Sequence, residues 1–215
     1  MGLIDDVITV KNVDQTTDMN KLVNTFVDHK NLRLSKKKCF RIHIGNGHEN
    51  CPDVKVHDEQ MKDADSAKYL DDVIHKNGTI QATIENGKKK GEGMIAEILS
   101  IINEIPLGKH KTEVAIKLRE AMLLNGILFN SEAWHGVTLA QVVKLEQTDE
   151  ALLRGILKAH SKTPKEFLYL ETGCTPIRYI LAQQRINYLK HIISRSDEEL
   201  IKKVFFCSEG TSNSR

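Results

Sequence analysis

The sequence predicts an α+β chain, with a small antiparallel sheet and one helix over residues 1–80, an all-helical region over 81–206, and a disordered tail over 207–215. Three observations carry that prediction. Apolar side chains alternate with polar ones at 39–44, 54–56 and 67–74, the period of half-buried strands. Met19, Leu22, Val23, Phe26 and Val27 recur at helical spacing, so 14–31 carries one amphipathic stripe. After Thr79 the pattern changes to a series of helix starts, with the capping-box matches Thr138…Gln141, Thr163…Glu166 and Ser196…Glu199.

In chain order, the apolar runs Gly2-Leu3-Ile4 and Val7-Ile8-Thr9-Val10 flank Asp5-Asp6 and read as a hairpin with an acidic tip. The strand entering that tip is almost absent, so the chain is expected to start inside the motif. The helix at 14–31 follows, then a strand in which Phe40, Ile42 and Ile44 alternate with Cys39, Arg41 and His43. Asn46-Gly47 and Asn77-Gly78 supply turn chemistry around the remaining short strands. Helices are expected near 80–105, 111–131, 139–160, 164–171, 176–195 and 197–206, with Pro164 and Pro176 in first turns. Gly87, Gly91 and Gly93 each weaken the first of these by about 1 kcal/mol relative to Ala, so its first half is expected to fray or bend.

Composition sets outer limits. With 40% hydrophobic and 28% charged residues, the 215-residue chain has enough apolar side chains for a core. No apolar run reaches the roughly 18 to 20 residues of a membrane span, and Met1 to Asp6 is acidic where a secretory signal is basic; the expectation is an intracellular chain with no membrane partner. Cys39, Cys51, Cys174 and Cys207 are spread without a CxxC, which fits reduced thiols. Net charge is only +2, but residues 1–80 hold 12 basic and 13 acidic side chains of the totals of 31 and 29, leaving 19 and 16 in 81–215. The excess positives cluster at Lys88-Lys89-Lys90, at Lys109-His110-Lys111 and at Lys158, Lys162 and Lys165, either as solvated faces or as a track for phosphates.

Two constellations invite chemistry. Asp5 and Asp6 offer the hard carboxylate oxygens that Mg²⁺ prefers, yet two ions about 4 Å apart need carboxylates from more than one strand, and no partner carboxylate is visible. Cys39, His43, His48 and Cys51 have zinc-compatible donors, but on a strand Cys39 and His43 lie about 13 Å apart at ~3.3 Å per residue, too far to share one tetrahedral ion. Lys36, Lys37 and Lys38 precede that strand, as nucleotide contacts or as a soluble loop. Trp134, the lone tryptophan, is expected to pack between helices.

Taken in order, four segments resemble the C-terminal part of a reverse transcriptase from a non-LTR retrotransposon of the LINE or jockey-like type. Leu3-Ile4-Asp5-Asp6 is similar to that family's aromatic-x-Asp-Asp catalytic hairpin, with Leu3 where an aromatic is usual. Asn31 to Cys39 resembles the palm motif that ends in a lysine, and Lys68-Tyr69-Leu70-Asp71 the Lys-Tyr-Leu-Gly segment of the primer grip. Gly126 to Trp134, with Leu145-Glu146 and Leu153-Arg154, is similar to the helical thumb and the region after it. The resemblance covers the chain to about Phe206 and implies a partial palm over 1–80 followed by a thumb-like region.

The activity it implies is RNA-directed DNA polymerase, a nucleotidyltransferase with Mg²⁺ held by Asp5 and Asp6. A lysine near Lys38 would act on the incoming dNTP, Lys68 and Tyr69 would position the primer end, and Lys88, Lys89 and Lys90 would hold the RNA template and DNA primer duplex by its phosphates. The family's fingers and earlier palm strands have no counterpart here, which implies a further chain that supplies them or a fragment incomplete in isolation. Asp71 stands where the family has glycine, placing a carboxylate near primer phosphate, and Gly87 interrupts a helix expected to be regular. A non-catalytic nucleic-acid-binding helical module and an expressed remnant without function stay open beside this expectation.

Overall fold

The computed structural model describes residue 21, residues 24–26, 28–29, 39–44, 55–56, 59–69, 72–106, 109–134 and 136–210. The protein is α+β, a mixture of helices and small sheets that divides into two compact units, 1–83 and 84–215.

In the first unit, the described residues of the expected 14–31 helix, Lys21, Asn24, Thr25, Phe26, Asp28 and His29, are helical, and the Thr25 hydroxyl donates to the Lys21 carbonyl at 2.8 Å. The strands are β1 (Phe40–Arg41), β2 (Lys55–Val56), β3 (Glu59–Gln60), β4 (Lys62–Asp63), β5 (Ser66–Tyr69) and β6 (Asp72–His75). Among the described residues they form three two-stranded pairs and not one antiparallel sheet, and the β1–β4 pair is parallel. The Arg41–Asp63 fork explains that pairing: Arg41 Nε donates to Asp63 Oδ1 at 2.6 Å and Nη2 to Oδ2 at 3.1 Å, between side chains that the parallel register sets side by side. The alternation at 67–74, expected as one strand, is a hairpin of β5 and β6 with Tyr69 opposite Asp72 and Ser66 opposite His75. Gly78, at φ +63°, closes the turn beyond β6 by donating its N–H to the His75 carbonyl at 2.8 Å, as Asn77-Gly78 predicted. The Thr83 hydroxyl accepts from the Val73 N–H at 3.0 Å and lies 3.2 Å from the Val73 carbonyl, giving the β6 backbone a partner beyond β5.

The second unit is helical. Helix α1 (Gln81–Glu104) leads into it, followed by α2 (Lys109–Leu118), a wide π turn at Arg119–Leu124, the short α3 (Asn125–Ile127) and a 3₁₀ turn at Ser131–Ala133. Then come α4 (Leu139–Leu157), α5 (Lys165–Thr172), α6 (Ile177–Ser194) and α7 (Leu200–Gly210). Ile98 and Ile102 of α1, Leu145, Leu152 and Leu153 of α4, Leu168 of α5 and Ile177 and Ile192 of α6 are buried, and so is Trp134.

Helix α1 runs unbroken through Gly87, Gly91 and Gly93, without the fraying expected of its first half. The reason is packing. A Cβ on Gly91 would sit 2.6 Å from Thr148 Cγ2 and 3.0 Å from Ile127 Cγ2, and one on Gly87 would sit 3.4 Å from the Ile127 carbonyl oxygen. These glycines let α1 approach α3 and α4 closely, and tertiary contact overrides local propensity.

The three capping boxes part ways. Thr138 accepts from the Gln141 N–H at 3.3 Å while Gln141 Oε1 accepts from the Thr138 N–H at 2.9 Å, a complete box. Thr163 caps nothing: Pro164 stands at the N-cap of α5 with ψ 140°, and Pro176 does the same for α6 with ψ 147°, one position outside the first turns expected of them. The Ser196 box leads into a turn, and α7 begins at Leu200 and continues past Phe206 to Gly210.

Candidate functional site

Asp5, Asp6 and Lys38 lie outside the described residues, as do Lys36, Lys37, His48, Cys51 and Asp71. Carboxylate oxygens such as those of Asp5 and Asp6 are of the type Mg²⁺ takes. Among the described residues no group of three or more His, Cys, Asp or Glu side chains converges as for a metal ion.

Lys68 and Tyr69 sit at the distal end of β5, opposite Val73 and Asp72 of β6. Successive strand residues face opposite ways, and here Lys68 is exposed while Tyr69 is half-buried. The hairpin therefore offers a cation from one face and an aromatic ring from the other. Beside it, the Arg41–Asp63 fork and His43, whose Nε2 lies 3.6 Å from Asp63 Oδ1, hold Asp63 below the ordinary carboxylate range, chiefly through the Arg41 hydrogen bond. Cys39 is half-buried, and burial pushes its thiol up, away from the reactive thiolate.

Lys88, Lys89 and Lys90 lie on the first half of α1. Consecutive helix residues are about 100° apart, so the three ammonium groups fan across the helix instead of forming one row. Lys88 and Lys89 are exposed, with Lys88 Nζ 4.0 Å from Glu92, and Lys90 is half-buried. Gly87 and Gly91 of the same helix are buried against α3 and α4, while Lys88 and Lys89 are exposed.

A buried polar network that the sequence reading did not single out joins the π turn, α4, α5 and the start of α6. Arg119, on the π turn, is 1% exposed; its Nε donates to Asp149 Oδ1 at 2.6 Å and its Nη2 to Asp149 Oδ2 at 2.7 Å and to the Thr175 carbonyl at 3.0 Å. Tyr169 of α5 donates its hydroxyl to Asp149 Oδ2 at 3.2 Å. One carboxylate thus ties the π turn, α4, α5 and the entry to α6. Burial alone lowers the Arg119 pKa, but the Asp149 hydrogen bonds and charge reverse it and hold the guanidinium above its ordinary value. Burial, reinforced by Asp149, pushes the Tyr169 phenol far up, so it remains a donor. One turn earlier on α4, Glu146 accepts from Arg178 of α6 through the Arg178 N–H at 3.3 Å, Nε at 2.7 Å and Nη2, and the Arg178 side-chain hydrogen bonds pull its pKa below the ordinary range.

A signal for this network is present in the sequence: Glu146 and Asp149 stand three apart inside the apolar stripe of Leu145, Leu152 and Leu153, which puts both acids on the buried face. Its chemistry is structural, since neither Arg119 nor Asp149 is open to a ligand. The exposed lysines supply what remains chemically, namely cationic donors suited to phosphate oxygens. Comparison of the chain with protein-family models, with curated proteins and with solved structures finds no match.

Proposed function

We propose that this chain is a fragment of an RNA-directed DNA polymerase of the non-LTR retrotransposon type, whose helical unit holds a template–primer duplex by its phosphates and which is inactive in isolation. The order of residues supports the reading: a strand pair carrying exposed Lys68 beside Tyr69 is followed along the chain by a helix carrying exposed Lys88 and Lys89, the sequence of parts that the resemblance to primer grip and thumb implies. The lysines fan out and no base-reading motif accompanies them, which suits contact with a backbone more than with base edges. Turnover is not expected of the isolated chain. Asp5 and Asp6 form one acidic pair, and seating two Mg²⁺ ions needs a carboxylate from another strand, which a further polypeptide would have to supply.

Fluorescence anisotropy on an RNA–DNA hybrid tests the binding half. Affinity is expected to fall steeply with added salt, and Lys88→Glu with Lys89→Glu to weaken it further while Asp5→Asn leaves it unchanged. Affinity indifferent to salt, or none, removes the reading. Primer extension on an RNA template with Mg²⁺ tests the other half; template-dependent incorporation that disappears in Asp5→Asn would show the isolated chain to be active.

A further inference from the structure

Helix α6 has two apolar faces. Ile177, Leu181 and Ile192 are buried, and on that side Ser131 Oγ donates to Gln184 Oε1 at 2.7 Å. Away from it, Tyr179, Ile186, Leu189 and Ile193 are 62%, 52%, 39% and 54% exposed, and Ala182 is exposed between them. The spacing of 179, 182, 186, 189 and 193 alternates three and four, so this outward set fills successive a and d positions of a heptad pattern. Fourteen steps from Tyr179 to Ile193 make a seam of about 21 Å at 1.5 Å per residue. A strict a/d seam is narrower than the broad apolar stripe with which a helix faces a core, and its complement is another helix.

The flanks say what kind of helix. Exposed Arg185 and Lys190 occupy the g and e positions beside the seam, Arg178 stands at the preceding g position, and no acidic residue occurs from Thr172 to Ser196. Arg178 is already engaged by Glu146. Two copies of α6 paired through this seam would set Arg185 and Lys190 against like charges in either orientation, which opposes self-association. Acidic residues at the flanking positions of a partner would complement them.

We propose that the outward face of α6 is a docking seam for an amphipathic helix of another polypeptide, with apolar a and d positions and acidic flanks. The seam is preformed, because the buried face and the Glu146–Arg178 contact hold α6 in place before any partner arrives.

Titration of the full chain with two synthetic amphipathic helices, alike at a and d but carrying Glu or Lys at e and g, tests the proposal. The Glu peptide is expected to bind roughly tenfold or more tightly than the Lys peptide, with the gap narrowing at high salt. Ile186→Ser with Ile193→Ser is expected to weaken the Glu peptide by roughly tenfold, with helicity and melting kept because both positions are exposed. Arg185→Glu with Lys190→Glu is expected to exchange the preference in favour of the Lys peptide, a gain that misfolding cannot imitate. Equal binding of the two peptides, or unchanged binding in the serine variant, overturns the proposal. Self-association of the wild-type chain that the serine variant abolishes would assign the seam to a second copy, and retention on duplex nucleic acid or anionic vesicles that the same variant abolishes would assign it to those surfaces; each result overturns it as well.

Discussion

Two arginine–aspartate forks, one in each unit, share a geometry and differ in surroundings. Arg41 and Asp63 approach to 2.6 Å with Asp63 61% exposed, whereas Arg119 and Asp149 approach to 2.6 Å with Asp149 fully buried. An exposed pair exchanges one set of water contacts for another and contributes about 0.2 to 1 kcal/mol. A buried pair has already lost its water, so removing one partner leaves a charge with nothing to solvate it. The units differ in the same way. Among the described residues every buried hydrophobic side chain belongs to 84–215, and the buried polar group of 1–83 is Thr83.

The largest expected effect comes from breaking the buried fork. Asp149→Ala is expected to destabilise the helical unit by about 3 to 5 kcal/mol in urea unfolding, and Arg119→Met with Asp149→Leu to recover most of that loss, because neither charge then remains. Arg41→Ala is expected to change the same transition by no more than about 1 kcal/mol. Equal losses in Asp149→Ala and Arg41→Ala would erase the difference between the units.

Glycines on α1 give a smaller contrast within one helix. Gly91→Ala forces a methyl against Thr148 and Ile127 and is expected to cost about 1 to 3 kcal/mol, despite a gain in helix propensity. Gly93→Ala meets nothing within 4 Å and is expected to stabilise by roughly 0.5 to 1 kcal/mol. Thermal melts of the two variants should move in opposite directions.

Caps come next. Thr138→Ala removes a complete capping box and is expected to cost about 1 kcal/mol, while Thr163→Ala, whose hydroxyl caps no helix, is expected to stay within about 0.5 kcal/mol of wild type.

Acid gives the smallest effect at neutral pH. The folded Glu146 carboxyl lies below its ordinary value of 4.5, so its contribution is present in full above that value and is lost as pH falls through the lower folded pKa. Unfolding followed from pH 6 downward is therefore expected to show the wild-type chain losing more stability than Glu146→Gln below about pH 4.5. Parallel slopes for the two proteins would detach that carboxylate from the acid response.

Periodicity made much of the second unit legible. The Thr138 box places the start of α4, expected over 139–160 and observed over Leu139–Leu157, and the packing role expected of Trp134 agrees with its burial at 6% exposure. Strand pairing was harder to read. Alternation at 67–74 says that residues face opposite ways but not that the chain turns back between Tyr69 and Asp72, and the run at 39–44 carries no mark of a parallel partner at Lys62–Asp63. Of the candidate site, the sequence identified the exposed lysines by their clustering; the buried acids of α4 were marked by their place within an apolar stripe, but that pattern does not name Arg119 or Arg178 as their partners.

By itself the sequence determined which segments become helices and which faces of them are apolar, since those follow from local spacing and local hydrogen bonding. Only the tertiary structure decided that Gly91 is a point of close contact, that Asp149 is a buried anchor, and that the second apolar stripe of α6 faces outward. Each of these depends on which distant segment arrives at a given face, and chain spacing carries no information about arrivals thirty or more residues away.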